Sequence, residues 1–310
     1  MTIQENLDTI KNIKAQIKGA INEKGGNVGD DFTTYANAIK NIETGGSSTA
    51  TTAGITSLYV NNDKTLSFDY IGKFSMDKIE WKNSDVDGKD AFNGCTGLTT
   101  INNLTIYTTF TDRMFEGCTN LESINQSSIS VTVVQDMFKN CSKLTSIGGI
   151  INDIYECGYM FWGCSSLVSL PIINLSEGCV VDGMFGECSN LSYITTLDGG
   201  ICRAESTFRN CSKLQTLPLL KFSNYGQDTM RGMFEGCSEL KNIGGLQNLN
   251  VSISFIDSPK LTLTSIQNII DTIGQGDGTQ TITFNSASEE NIDNTMLATL
   301  TNKGWNIQFS

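Results

Sequence analysis

The sequence predicts a mainly β solenoid with short helical turns and about 23 residues to a coil. Three observations predict it. First, one phrase, Phe-x-x-Cys-x-x-Leu-x-x-Ile/Leu, is written seven times: Phe92–Ile101, Phe115–Ile124, Phe138–Ile147, Phe161–Leu170, Phe185–Ile194, Phe208–Leu217 and Phe234–Ile243. Second, the phrase is periodic, its cysteines falling 23, 23, 23, 24, 23 and 26 residues apart. Third, the composition suits turns and strands: 30 Gly, only 3 Pro and many Ser, Thr and Asn in 310 residues. A chain stacked this way presents a long surface rather than an enclosed pocket.

Along the chain, residues 1–43 read as a helical module for attachment or oligomerisation. Ile3, Leu7, Ile10, Ile17 and Ile21 keep the three- and four-residue steps of an apolar helix face over 2–24. Thr2 and Glu5 form a capping box, and Gly25–Gly26 stops the helix. A second helix is expected over 30–43, with Phe32, Tyr35, Ala36, Ile39 and Ile42 on its apolar side. Such a hairpin can barely cover itself, so it packs on a partner or makes a homo-oligomer such as a trimer. Residues 44–54 (TGGSSTATTAG) have the composition of a flexible linker. Residues 55–91 form an N-terminal β cap with strands at Ile55–Val60, Thr65–Tyr70 and Lys78–Trp81. The solenoid runs from 92 to 263 and ends in a decayed eighth copy, where Phe255, Ser258 and Leu261 take the Phe, Cys and Leu places. Residues 264–310 form a C-terminal αβαβ cap: helix 264–273, strand 280–284, helix 287–302 and strand 305–309.

In each coil the Phe and Cys, three residues apart, suit a tight helical turn, and the Leu-x-x-Ile piece enters a short strand. The ten cysteines are expected to be reduced. Seven share one column, and stacked side chains about 4.8 Å apart point the same way, whereas a disulfide turns its Cβ vectors toward each other. Cys157, Cys179 and Cys202 form a minor second column.

The phrase Met-Phe-x-x-Cys-x-x-Leu-x-x-Ile resembles the BspA-like leucine-rich repeats over about residues 85–263. The resemblance implies a right-handed leucine-rich-repeat solenoid of the kind found on bacterial surface proteins that adhere to other cells or matrix. The run IKAQIKGAINEKGGNVGDDFTTYANAIKNI and the ending LTLTSIQNIIDTI…LATLTNKGWNIQFS resemble segments of tail-fibre-like proteins of gut bacteriophages. That similarity implies a virion protein.

Composition narrows the function. A net charge of −12 speaks against nucleic acid or anionic lipid held on a basic face. No run of eighteen apolar residues implies membrane insertion. The first twenty residues do not read as a signal peptide, because Glu5 and Asp8 interrupt them. Synthesis in the host cytoplasm and residence in the virion tail are expected. There is no histidine, which removes His-dependent triads and His metal sites; neither catalysis nor a cofactor is expected. Asn83-x-Asp85-x-Asp87-Gly88-x-Asp90 matches half of a calcium loop, but Gly94 stands where the bidentate Glu belongs. The plainer reading is that Asp90 caps its turn, as Asp112, Asp136 and Asp182 do in later coils.

Two groups are candidate binding residues. Thr100, Ser123, Ser146, Ser169, Tyr193, Thr216 and Asn242 occupy the place before the Ile/Leu and should point outward in register, either to a polar ligand or only to water. Tyr155, Tyr159 and Trp162 form an aromatic cluster suited to sugar or protein contact, or to filling a gap between coils. The expected function is a phage tail-fibre or tail-appendage protein. It joins other virion proteins through residues 1–43 and shows its solenoid to a host cell-surface glycan or protein. The alternatives are a bacterial BspA-like surface adhesin and a purely structural virion decoration.

Overall fold

The structure is a computed structural model that describes residues 54–60, 66–71, 73–81, 88–224 and 227–310. The expected helices at 2–24 and 30–43, the linker apart from Gly54, and Asn83, Asp85 and Asp87 lie outside the described residues.

The described chain is mainly β. Strands β1 (Gly54–Val60) and β2 (Leu66–Ile71) form an antiparallel hairpin. Strand β3 (Phe74–Trp81) instead pairs in parallel with β4 (Leu98–Phe110), Ser75 beside Thr100 and Ile79 beside Leu104. The parallel stack therefore begins at β3, ahead of the first full phrase. It continues through β5 (Ser123–Val133), β7 (Ile150–Glu156), β8 (Ile172–Val180) and β10 (Ile201–Arg203), with the short β6 (Ser146–Ile147) and β9 (Leu197–Asp198) paired to β5 and β8. Strands β11 (Thr216–Lys221) and β12 (Asn242–Gln247) pair next, also in parallel. The strands run well past the Leu-x-x-Ile piece, so most of the sheet lies in the half of each coil that the phrase does not cover.

The phenylalanine turn is where the coils lock together. Phe92, Phe115, Phe138, Phe161, Phe185, Phe208, Phe234, Phe255 and Phe284 form one continuous stack, with ring centroids 4.8–5.7 Å apart and planes within 18°. Each is buried, worth roughly 1.5–3 kcal/mol per side chain, with about 0.5–1.5 kcal/mol more for a well-placed aromatic pair. The decayed eighth copy keeps its place through Phe255. The ninth ring, Phe284, belongs to no phrase at all. A parallel column of Met114, Met137, Met160, Met184 and Met233 is buried beside the rings.

The turn itself is not helical. The expected i+3→i bonds are there: Asn93 N–H donates to the Asp90 carbonyl and Cys95 N–H to the Phe92 carbonyl. Yet in the seven full copies the residue two before the Phe has φ of 54–64°, and the residue two after has 57–75°. Each of these seven phenylalanines thus sits between two left-handed residues in linked β-turns. Asp, Asn and Gly fill many of these places at little cost. Arg113, Tyr159 and Glu187 do not suit them and cost about 1–2 kcal/mol each. The bonds to the next coil offset that cost: Arg113 N–H to Gln135 O at 2.9 Å, Tyr159 N–H to Asp182 O at 2.7 Å and Glu187 N–H to Arg209 O at 2.7 Å.

The cysteines have a second task besides packing. The thiols of Cys118, Cys141, Cys164, Cys188, Cys211 and Cys237 each donate to the carbonyl of the phenylalanine one coil earlier, all at 3.1 Å. That carbonyl also accepts the N–H of its own coil's cysteine, as Phe115 O does from Cys118 N–H at 3.2 Å. Both lone pairs are used, and an alanine would lose the donor and leave the volume of the sulfur empty. In the eighth copy the Ser258 hydroxyl donates to Cys237 O at 3.3 Å. All ten cysteines are free thiols. In the minor column Cys157 and Cys179 lie with sulfurs 3.8 Å apart, and Cys202 donates to Gly178 O.

Beyond β12 the solenoid changes form. Helix α1 (Leu263–Thr272) packs on β12 in place of another strand. Its hydroxyls take over the ladder: Ser265 Oγ accepts Ile243 N–H at 3.0 Å, and Thr272 Oγ1 accepts Leu246 N–H at 2.8 Å. The edge of β12 is thereby covered rather than left to pair with another chain. Strands β13 (Ile253–Phe255), β14 (Thr281–Phe284) and β15 (Asn306–Phe309) then stack in parallel, Phe255 beside Phe284 and Phe284 beside Phe309. The single helix expected at 287–302 is two: a 3₁₀ helix, Ser286–Asn291, and α2 (Asn294–Asn302). Asp293 divides them because its carboxylate accepts Met296 N–H and starts a new helix. Lys303 donates to the carbonyls of Ile270, Asp271 and Ile273, closing the C-terminal end of α1.

Two outcomes follow from this core. Phe161→Ala, in the middle of the stack, will destabilise the protein by about 3–5 kcal/mol, read as a lowered urea midpoint; a change under 1 kcal/mol would show that the stack does not hold the coils. Thiol titration in denaturant will find ten free thiols. In the native protein the half-exposed Cys202 will react first, because the other nine are buried; burial pushes the Cys237 thiol, for one, up to about 12. A denatured count well below ten would overturn the reduced core.

Candidate functional site

Because neighbouring coils pair in register, any outward side chain belongs to a column. The column expected at Thr100, Ser123, Ser146, Ser169, Tyr193, Thr216 and Asn242 is present in two runs. Thr100, Ser123, Ser146 and Ser169 pair in sequence and are half-buried. Tyr193, Thr216 and Asn242 pair in sequence and are exposed. The break falls where the phenylalanine spacing is 24 rather than 23, between Phe161 and Phe185. Ser169 and Tyr193 nonetheless hold the same place, eight residues after their phenylalanines.

The aromatic group is less of a site than its composition suggests. Tyr159 and Trp162 meet with centroids 5.4 Å apart and planes tilted 58°. Both lie over the next coil's glycines. A Cβ on Gly183 would come within 2.6 Å of the Tyr159 ring, and one on Gly186 within 2.2 Å of Trp162. Lys139 reaches over the Tyr159 face at 5.4 Å. These two rings fill a gap between coils. Tyr155 is on β7, 51% exposed, and no ring contact joins it to them. The three do not form one surface.

Asp90 is committed to other partners. Arg113 donates to both its carboxylate oxygens at 2.8 Å, and Asn93 adds a bond at 2.9 Å. The Arg113 guanidinium accordingly holds the Asp90 carboxyl below its usual range. Asp90 thus anchors one coil to the next instead of capping its own turn. Asp136 takes Lys139 at 2.7 Å, and Asp182 accepts a backbone N–H only from the next coil, at Glu205. Among the described residues no group of three acidic, Cys or His side chains is placed to hold a metal.

A second column, unmarked by the phrase, also has seven members and is joined throughout, by strand pairing or by side-chain bonds. Tyr107 pairs with Ser130, and Ser130 with Asn152. Asn174 donates to Asn152 at 2.7 Å and pairs with Asp198. Lys221 reaches Asp198 at 2.6 Å and pairs with Gln247. Seven coils thus contribute one outward residue each, and the last three are exposed. Toward its C-terminal end the column opens into a groove of about 590 Å³ between the β8–β9 and β11–β12 strand pairs. The side-chain hydrogen bond from Lys221 lowers the Asp198 carboxyl. Chemically this surface offers amides, carboxylates and one ammonium in a line, which suits reversible hydrogen bonding to a polar ligand.

The Asp198–Lys221 pair gives a measurable signature. In Lys221→Met the Asp198 carboxyl will titrate back up toward the ordinary value of about 3.9, followed by carbon-detected NMR of its carboxyl. Since the pair is exposed, stability will change by no more than about 1 kcal/mol. An unchanged Asp198 titration would mean that the ion pair does not bridge the two strand pairs.

The repeats identify the chain's relatives. A family model described as the BspA type leucine-rich repeat region matches residues 67–177 and 158–277, with six copies of the repeat. No curated protein and no solved structure matches the chain. The matched spans cover about two thirds of the sequence and contain every full copy of the phenylalanine phrase, so the chain belongs to the BspA-type leucine-rich repeat family.

Proposed function

We propose that this chain is an interaction protein that shows the outer face of its solenoid to a cell-surface ligand, a glycan or a protein, and that it acts by binding rather than by catalysis. The observation that carries the reading is the unbroken polar column from Tyr107 to Gln247. A core locked by stacked rings needs only solvation on its outside. A line of amides and charges bonded from coil to coil also offers a polymeric ligand repeated contacts. Membership of the BspA-type family supports the interaction half of the proposal, and with it the adhesin reading.

The finer assignment is a tail fibre or tail appendage of a phage particle, made in the host cytoplasm and resident in the virion. It rests on the resemblance of residues 13–42 and of the chain's ending to such proteins. In this assignment residues 1–43 dock on other virion proteins or oligomerise. The solenoid winds right-handed at about 23 residues a coil, with residues 55–91 and 264–310 closing its ends.

Two measurements test the reading. The full-length chain will bind intact bacterial cells saturably; no saturable binding to any cell type would refute the interaction role. Deleting residues 1–43 will convert an oligomer to a monomer in sizing without moving the thermal unfolding midpoint. A full-length chain that is already monomeric would remove the proposed handle and leave the adhesin reading in its place.

A further inference from the structure

We propose that the groove at the C-terminal end of the outer column is a saccharide site, taking a neutral, hydroxyl-rich chain. The inference rests on the interaction reading and names its ligand class and location. Asn174, Glu177 and Asp198 stand on one side of the groove; Lys221, Asn224 and Gln247 stand on the other. Its volume of about 590 Å³ falls within the roughly 300–1,000 Å³ typical of small-ligand sites. Leu175 and Phe222 line it too, both buried, so little apolar surface faces the opening.

The backbone makes the recess. Gly199 has φ of 135°, and a Cβ there would lie 2.3 Å from the Leu175 carbonyl oxygen. A Cβ on Gly200 would lie 2.0 Å from the Glu177 carboxylate. Any other residue at either place would push β8 and the β9–β10 turn apart or displace Glu177. Two adjacent glycines therefore let β8 and the Glu177 carboxylate close against the β9–β10 turn, which sets Glu177 and Asp198 together at the border of the groove. The Lys221 ammonium closes the far side by pairing with Asp198 at 2.6 Å.

The donor and acceptor set selects the ligand. Each sugar hydroxyl both donates and accepts. Carboxylates supply acceptors, the ammonium supplies donors, and the four amides of Asn174, Asn224, Gln247 and Asn248 supply both. Two carboxylates against one ammonium leave the lining negative, in a chain of net charge −12. That charge disfavours uronic, sialylated or phosphorylated chains. A peptide ligand would need apolar anchors or a free strand edge. The groove offers no apolar anchor, since Phe222 is 2% exposed, and a peptide is the competing ligand against which the oligosaccharide array is read.

The test uses the full-length protein on an array of immobilised neutral oligosaccharides, mainly hexose and N-acetylhexosamine chains, beside acidic counterparts. The best neutral binder is then titrated by calorimetry into wild type, Gln247→Ala, Glu177→Ala and, as a control on the other column, Tyr193→Ala. Gln247 and Glu177 are exposed, so these variants will fold, which the unfolding midpoint checks. Neutral chains are expected to bind, each groove substitution weakening them about tenfold or more and Tyr193→Ala leaving them unchanged. Binding confined to acidic chains, or loss only in Tyr193→Ala, would overturn the groove. Saturable cell binding with no oligosaccharide bound would also overturn it while leaving the interaction reading intact. Absence of both would remove the two together.

Discussion

Every other feature of this molecule depends on one constraint: each coil sets a phenylalanine directly over the last. The rings stack at 4.8–5.7 Å, close to the spacing of neighbouring strands in a sheet. Ring contact and backbone pairing are therefore satisfied by the same translation. The Phe N–H donates to the next coil, as Phe115 does to Met137 O at 2.8 Å, and the Phe carbonyl receives a cysteine thiol from that same coil. Side chain, donor and acceptor all point along the solenoid axis. A residue that lost any one of them would leave a void or an unpaired polar group inside the stack.

The same translation explains the outside. A coil that repeats its inward residues in register must also repeat its outward ones, so the exterior is a set of lines rather than patches. Whether a line is continuous depends on how strictly the register holds at that point of the coil. The column beginning at Thr100 breaks at the 24-residue spacing. The column beginning at Tyr107 survives it, because its residues are tied by side-chain bonds as well as by strand pairing: Asn174 to Asn152, and Lys221 to Asp198. The second tie joins strand pairs that do not share one sheet.

What could be read from the residues follows the same division. The inward phrase was legible because Phe, Cys, Leu and Ile recur at fixed offsets, and even the decayed copy was found by its Phe255. Phe284 was not, because Ala287 and Glu290 stand where the phrase puts Cys and Leu. Its place follows only from the parallel pairing of β14 with β13. The left-handed turn residues were hidden because Arg113, Tyr159 and Ser206 are not residues that signal positive φ. The outer column was hidden for a sharper reason. Tyr107 and Ser130 lie fifteen residues past their phenylalanines, Asn152 fourteen, and Asn174, Asp198, Lys221 and Gln247 thirteen. Shifts of register absorb the difference: Ile124 beside Ile147 gives way to Ser128 beside Ile150, and Ser146 beside Ser169 to Ile150 beside Ile172, so no fixed offset reveals the line.

Those irregularities also bear on why the groove lies toward the C-terminal end. Early coils carry long strands, thirteen residues in β4 and eleven in β5. Later ones carry short strands broken by glycine, such as β9 and β10 separated by Gly199–Gly200. A long regular strand fills its face with side chains and leaves no recess. A short strand turned at a glycine pair exposes backbone and lets a neighbouring carboxylate fold across it, as Glu177 does over Gly200. The core does not change along the way, since Phe185, Phe208 and Phe234 stack as the earlier rings do. Loosening the outer half of the coil while the inner half stays locked is how a solenoid can gain a concave site without weakening the stack that holds it.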